Sequence, residues 1–244
     1  MPTRPKVSPL HVPPLVRAID AILLDMDGTI LNSIKAAERV WGAWAERHGL
    51  DVDAFLPTIH GVQSVETVRR AGIAGINPIA EAALITQAEL DETEGIAEIA
   101  GAGAFLTALP ATRWAVVTSA PRALALRRIE AAGLPVPSLL IAAEDAARGK
   151  PTPDCFNMGA ARLGTTAARC LVLEDSLAGI AAAEAAGATI MVVTETHHRP
   201  IDTQHHAIRD YRGLRLEQLP DGSLLIGYGQ GAAGQGYLLN STPS

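Results

Sequence analysis

Apolar residues fall along this chain in two alternating rhythms. Short apolar runs occur at residues 21–24, 114–117, 139–142, 170–173 and 189–193, the last opened by Thr189. Each is bounded by polar or turn-forming residues, the pattern of a strand buried on both faces. Between these runs the spacing changes to threes and fours, over residues 123–132, 154–163 and 177–186, with Gly133 and Gly187 closing two of the three stretches. That spacing predicts helices ended by glycine.

The first two strands are separated by a long stretch with no strand signal, residues 33 to about 100. Here Ala36, Val40, Trp41, Trp44 and Ala45 mark one helix over residues 33–48, with Ser33 as its N-cap and Gly49 as its stop. Further helices are predicted over 64–71 and 79–92. Trp41 and Trp44 lie on the apolar stripe and are read as core. The fold class is therefore α/β: a doubly wound, Rossmann-like parallel sheet carrying an inserted all-helical domain. The insert is expected at 33–108 and the core at 1–32 and 109–244, with an irregular proline-rich arm at 1–18 and a loose tail from about 227. Residues 211–225 predict one more strand or a hairpin turning at Asp221-Gly222.

Open α/β sheets bind ligands at the carboxyl ends of their strands. Those ends carry Asp25 and Asp27, then Thr118 and Ser119, then Lys150, then Glu174 and Asp175. Asp25 and Asp27 are two residues apart at the end of an extended run, so both project the same way. Carboxylates that close call for a cation or a proton, which leaves a metal site, an acid/base pair or both; the alternative is a turn in which Asp27-Gly28 serves backbone geometry alone. Two carboxylates and a carbonyl suit Mg²⁺, and a lysine with a threonine hydroxyl suits phosphate oxygens. The set is the chemistry of a phosphate held beside Mg²⁺.

Composition narrows the partners. Of 244 residues, 48% are hydrophobic and 19% charged, with a net charge of −6, which describes a globular chain without the clustered Lys and Arg that nucleic acid selects. Cys155 and Cys170 have no zinc-ligand spacing and are read as buried reduced thiols. With neither a signal-peptide pattern nor a membrane-length apolar run, a cytoplasmic monomer acting on a small phosphorylated molecule is expected. The polar segment 195–206, with His197, His198, His205 and His206, is read as a solvated loop.

Asp25-Met26-Asp27-Gly28-Thr29, Thr118 with Ser119, Lys150-Pro151 and Glu174-Asp175 together resemble, in order and in placement, the four motifs of the haloacid dehalogenase superfamily of phosphohydrolases. The resemblance implies Asp25 as nucleophile and Asp27 as general acid and then base. It implies Mg²⁺ held by Asp25, Asp175 and the Asp27 carbonyl with Glu174 in support, and the phosphoryl group held by Thr118, the Ser119 amide and Lys150. The helical insert is similar to the family's small cap, with residues 31–33 as one hinge strand and residues near 105–112 as the other. His60, Gly61, Gln63 and Ser64 are the cap's specificity candidates; this segment resembles the glycerol-3-phosphate and sugar phosphatase branch, many members of which carry arginine where this chain has Gln63. The implied activity is a phosphatase for a sugar or polyol phosphate. The alternative is a β-phosphoglucomutase-type phosphomutase, against which Ala37 stands where those relatives carry a cap histidine. Asp27 argues against a dehalogenase, and the helical insert against a receiver-type binding module.

Overall fold

The computed structural model describes residues 18–197 and 201–228. Nearly all of the expected arm, most of the expected tail and His198 lie outside these residues. In chain order the elements are β1 (Ala21–Leu24), β2 (Leu31–Asn32), α1 (Ile34–Arg47), α2 (Val52–Phe55), α3 (Ser64–Ala71), α4 (Pro78–Asp91), β3 (Ala97–Glu98), α5 (Ala102–Ala108), β4 (Trp114–Val117) and α6 (Arg122–Ala131). There follow β5 (Leu140–Ile141), α7 (Asp154–Arg162), β6 (Cys170–Glu174), α8 (Leu177–Ala185), β7 (Thr189–Val193), β8 (His206–Ile208), β9 (Leu214–Gln218) and β10 (Leu224–Tyr228).

The six-stranded sheet runs β5-β4-β1-β6-β7-β8, with every neighbouring pair parallel. Residues alternate between its two faces, as a period of two requires. Ile22, Leu24, Trp114, Val116, Leu171 and Leu173 join one apolar cluster with α5, α6 and the β9–β10 hairpin. Ala21, Leu23, Ala115, Val117, Cys170 and Val172 join a second with α7 and α8. At roughly 1.5–3 kcal/mol for each large apolar side chain removed from water, these two layers are the main force holding β1 at the centre. The register then fixes the site: Leu24 pairs with both Val116 and Leu173, so Asp25, Thr118 and Glu174 emerge at one edge.

The helices α1 to α4 have an apolar cluster of their own, built on Trp41, Trp44, Ala45, Ile59, Val68 and Ile85. Trp41 and Trp44 meet edge to face at 5.7 Å, and the Trp44 indole donates to Glu81 at 2.9 Å. Both tryptophans are therefore core, as their spacing predicts. The chain enters and leaves this helical unit through β2 and β3, which pair antiparallel. The expected second hinge strand near 105–112 is thus corrected: the partner of Leu31-Asn32 is Ala97–Glu98, and residues 102–108 are helix α5, whose Ala102, Phe105 and Leu106 are buried in the sheet's cluster.

Three further expectations change. Ser33 stands at the N-cap of α1 but makes no capping hydrogen bond, because its hydroxyl donates to Asp27 instead. The segment after β7 is not wholly loop, since His206 opens β8 against β7. The hairpin turning at Asp221-Gly222 is present, but β10 continues through Gly227 to Tyr228, past the point where the tail was expected to begin. Cys155 and Cys170 are both buried and unbridged. Among the described residues no helix is long and apolar enough to cross a membrane.

Candidate active site

Beyond the end of β1 the chain turns sharply, with the amides of Thr29, Ile30 and Leu31 all directed at the Met26 carbonyl. Gly28 makes the turn possible. Its φ of +86° favours glycine, and a Cβ there would lie 2.0 Å from Asp175 Oδ2. The close approach lets Thr29 Oγ1 donate to Asp175 Oδ1 at 3.0 Å.

Asp25, Glu174 and Asp175 converge here, buried, with one carboxylate oxygen from each lying within 4.8 Å of the others. Lys150 comes from the loop before α7 and reaches Asp25 Oδ1 at 2.5 Å and Glu174 Oε1 at 2.6 Å. Glu174 Oε2 accepts the Asp175 and Ser176 amides, both at 2.7 Å, which fixes its orientation. Burial pushes Asp25 up to about 7 against the pull of Lys150. Burial, with Glu174 and Asp25 beside it, also pushes Asp175 well above the carboxylate range. Burial works to lower Lys150, but Asp25 and Glu174 outweigh it and hold the ammonium charged. Three buried carboxyl groups thus converge beside one lysine that bonds two of them, a pocket lined by carboxyl oxygen. That donor set fits a hard divalent cation such as Mg²⁺.

Asp27 faces different partners. Its Oδ1 accepts from Ser33, and its Oδ2 pairs with Arg128 Nη1 at 3.0 Å. Arg128, on α6, also pairs with Glu89 Oε1 of α4 at 2.9 Å, and the Trp41 side chain hydrogen-bonds Glu89 as well. Burial works to lower Arg128 but Asp27 and Glu89 together raise it, while burial pushes Glu89 up despite Arg128. A cavity opens in front of both aspartates, bounded on the sheet side by Thr118 and Ser119 and on the helical side by Trp41, His60 and Glu89.

The expected site residues are therefore brought together in large part. Thr118 is buried and its hydroxyl accepts the Ala120 amide at 3.1 Å. Ser119 Oγ donates to the Gly61 carbonyl at 2.9 Å, tying the sheet to the helical unit. Gly61 itself packs so near Ser176 that a Cβ would lie 2.3 Å from its hydroxyl. His60, Gly61 and Ser64 line the cavity, and so does Ala37. Gln63 is not among the lining residues; its side chain lies against Gly149 and donates to the Ala143 carbonyl at 3.2 Å. Burial pushes His60 down, toward neutral imidazole.

Sequence reasoning did not single out Arg128, Glu89, Tyr211 or the part played by Ser33, and it left His197 in a solvated loop. Tyr211, after β8, is buried and donates to the Thr29 carbonyl at 3.2 Å. His197 Nε2 lies 2.8 Å from the Asp175 carbonyl. Arg128 did leave a signal: it recurs at helical spacing with Leu124, Ala125 and Ile129, where an apolar residue is expected.

A parallel sheet whose strand ends bring together three acids and a hydroxyl, with a lysine from the loop before α7, beneath a helical unit is the framework of an α/β enzyme. The chain belongs to the haloacid dehalogenase-like hydrolases, whose family model matches residues 19–187. It is 36% identical over 212 residues to hexitol phosphatase A of Escherichia coli (strain K12), covering 84% of this chain and 97% of that protein. It is 30% identical to glycerol-1-phosphate phosphohydrolase 2 of Saccharomyces cerevisiae (strain ATCC 204508 / S288c), covering 77% of this chain and 79% of that one. In fold it is similar to a β-phosphoglucomutase from Clostridium difficile, with a TM-score of 0.64 at 19% identity over 72% of this chain and 84% of the other.

Proposed function

We propose that this protein is a Mg²⁺-dependent phosphatase that releases phosphate from a small sugar or polyol phosphate through an aspartyl-phosphate on Asp25. The observation that carries the reading is the unequal treatment of two neighbouring carboxylates. Asp25 is buried against Lys150 beside Glu174 and Asp175, whereas Asp27 stands in the cavity held by Arg128 and Ser33. Environments that differ this much assign neighbouring acids to different tasks. The phosphatase names of the relatives support the same reaction class.

In this reading the Asp25 carboxylate attacks phosphorus and the alcohol leaves, taking its proton from Asp27. Asp27 then removes a proton from water, the water attacks the aspartyl-phosphate, and phosphate departs with Asp25 restored. Lys150, the Thr118 hydroxyl and the Ser119 amide hold the phosphoryl oxygens. Asp25, Asp175 and the Asp27 carbonyl, with Glu174 in support, would hold Mg²⁺, which would supply positive charge to offset the phosphate dianion. The helical unit is the cap, bounded by β2 and β3 rather than extending to residue 108, because α5 is buried with the sheet. Its closure keeps water from the site during transfer.

Turnover of p-nitrophenyl phosphate with Mg²⁺ tests the assignment. Wild type releases p-nitrophenol, Asp25→Asn releases none while keeping its circular dichroism spectrum, and a chelator stops the wild-type reaction. Near-normal turnover by Asp25→Asn removes the nucleophile assignment, and metal-independent turnover removes Mg²⁺.

A further inference from the structure

Two helices each carry one ionised side chain on an otherwise apolar face. On α4 the buried positions are Ala82, Ile85 and Glu89, and on α6 they are Leu124, Ala125, Arg128 and Ile129. Glu89 is 4% exposed and Arg128 5%, and they meet at 2.9 Å. A buried ion pair contributes little to stability compared with apolar residues of similar size, so packing alone does not account for it. Both residues line the cavity in front of Asp25 and Asp27, and Arg128 Nε is enclosed without a hydrogen-bond partner.

We propose that the Glu89–Arg128 pair determines specificity by reading the leaving group, accepting a neutral polyhydroxylated alcohol and rejecting one that carries a carboxylate or a second phosphate. The inference rests on the phosphatase reading above. Its basis is the charge lining the cavity. Among the described lining residues Arg128 is the one guanidinium or ammonium group, and it is already shared between Asp27 and Glu89. An anionic leaving group therefore meets the Glu89 carboxyl and a cation already engaged by Glu89 and Asp27. A hydroxyl meets no such opposition: it can donate to the Glu89 carboxyl and accept from the Arg128 guanidinium. Sites that hold buried polar groups for a substrate hydroxyl discriminate strongly, because an analogue without it leaves those groups unpaired. Glu89 belongs to the helical unit and Arg128 to a helix packed on the sheet, so the leaving group is read where the two units meet.

Phosphate release from sorbitol 6-phosphate and from 6-phosphogluconate, which differ chiefly in a terminal alcohol against a carboxylate, tests the inference. Wild type is expected to prefer the hexitol phosphate at least tenfold in kcat/KM. Glu89→Gln, which keeps the side-chain shape and removes the charge, should reduce that preference at least tenfold, mainly through KM. A pair that serves only structure lowers both substrates equally and leaves the ratio unchanged; that result overturns the inference, as does a wild type that treats the two alike. Should Glu89→Gln fail to fold, Arg128→Lys keeps both charges and loses the guanidinium. It is then expected to raise KM for sorbitol 6-phosphate about tenfold, and an unchanged KM overturns the inference. A wild type that releases phosphate from no substrate, p-nitrophenyl phosphate included, refutes the phosphatase reading itself.

Discussion

Replacing Gly28 by alanine adds one carbon at the most crowded point of the acid cluster. Two penalties follow. At φ +86° an L-residue is strained by roughly 1–2 kcal/mol. The new Cβ would also sit 2.0 Å from Asp175 Oδ2 and 2.5 Å from its Cγ, so the carboxyl must move by about 1.4 Å to restore an ordinary contact. Movement on that scale breaks the buried 3.0 Å bond from Thr29 and leaves a buried polar group unpaired, a cost of roughly 1–3 kcal/mol. The expected loss is about 2–5 kcal/mol in urea unfolding. Turnover should fall on the order of a hundredfold, the typical effect of a 1 Å misplacement. Gly49→Ala is the matched control, since its φ is +67° and a Cβ there meets nothing within 4 Å. It should show the backbone penalty of roughly 1 kcal/mol and normal turnover. If the two variants match in both stability and activity, the approach of Gly28 to Asp175 has no functional weight and the site geometry argued here is wrong.

Two other perturbations probe what holds the site in place. Asp20, just before β1, accepts a two-pronged bond from Arg169 and a third from Thr165, and these hold its carboxyl down at about 2. A depressed carboxylate contributes stability above its unfolded value of 3.8, lost as pH falls through the folded value. Asp20→Asn should therefore lower stability by about 0.5–1 kcal/mol at neutral pH, the range for a solvent-screened pair. Unfolding curves should show that difference shrinking as pH falls from about 4 toward 2, and a constant difference would argue against the pairing. Tyr211→Phe removes the donor to the Thr29 carbonyl and should cost about 1 kcal/mol. Its Mg²⁺ affinity, followed by calorimetry, should weaken, because the Thr29 hydroxyl positions Asp175; unchanged affinity confines Tyr211 to packing.

What could be read in the sequence follows from how locally each feature is encoded. The strands β1, β4 and β6 are apolar runs, and the acids and hydroxyl stand at or just past their ends, so sheet and motif residues were legible together. The exposed pair Ala97–Glu98 has no apolar signature and becomes a strand only through Leu31-Asn32. Helix α5 reads Ala-Gly-Ala-Phe-Leu-Thr-Ala, too short and too glycine-rich to announce itself. Ser33 shows how tertiary contacts override local preference: its hydroxyl can cap α1, yet the stronger acceptor Asp27 lies beside it. Glu89 and Arg128 were missed for the opposite reason. Each looks like an ordinary helical charge until the apolar spacing on both helices is compared, and then two interruptions of opposite sign become a pair.

That pair changes what the two aspartates imply. Residues i and i+2 of an extended chain project together, so sequence alone makes Asp25 and Asp27 equivalent neighbours competing for one cation. The fold separates them because the strand ends at Leu24 and the chain turns at Gly28. Lys150 and the neighbouring acids draw Asp25 into the buried side of the site, while Arg128 and Ser33 draw Asp27 toward the cavity. In the proposed reaction Asp25 takes the side of the cation and phosphorus, and Asp27 the side of the leaving alcohol and the water. The residue that holds Asp27 there is the same one that meets Glu89, so the group assigned to proton transfer and the groups assigned to recognising the alcohol form one connected network. A change at Glu89 should for that reason act on leaving-group choice first and on generic turnover second.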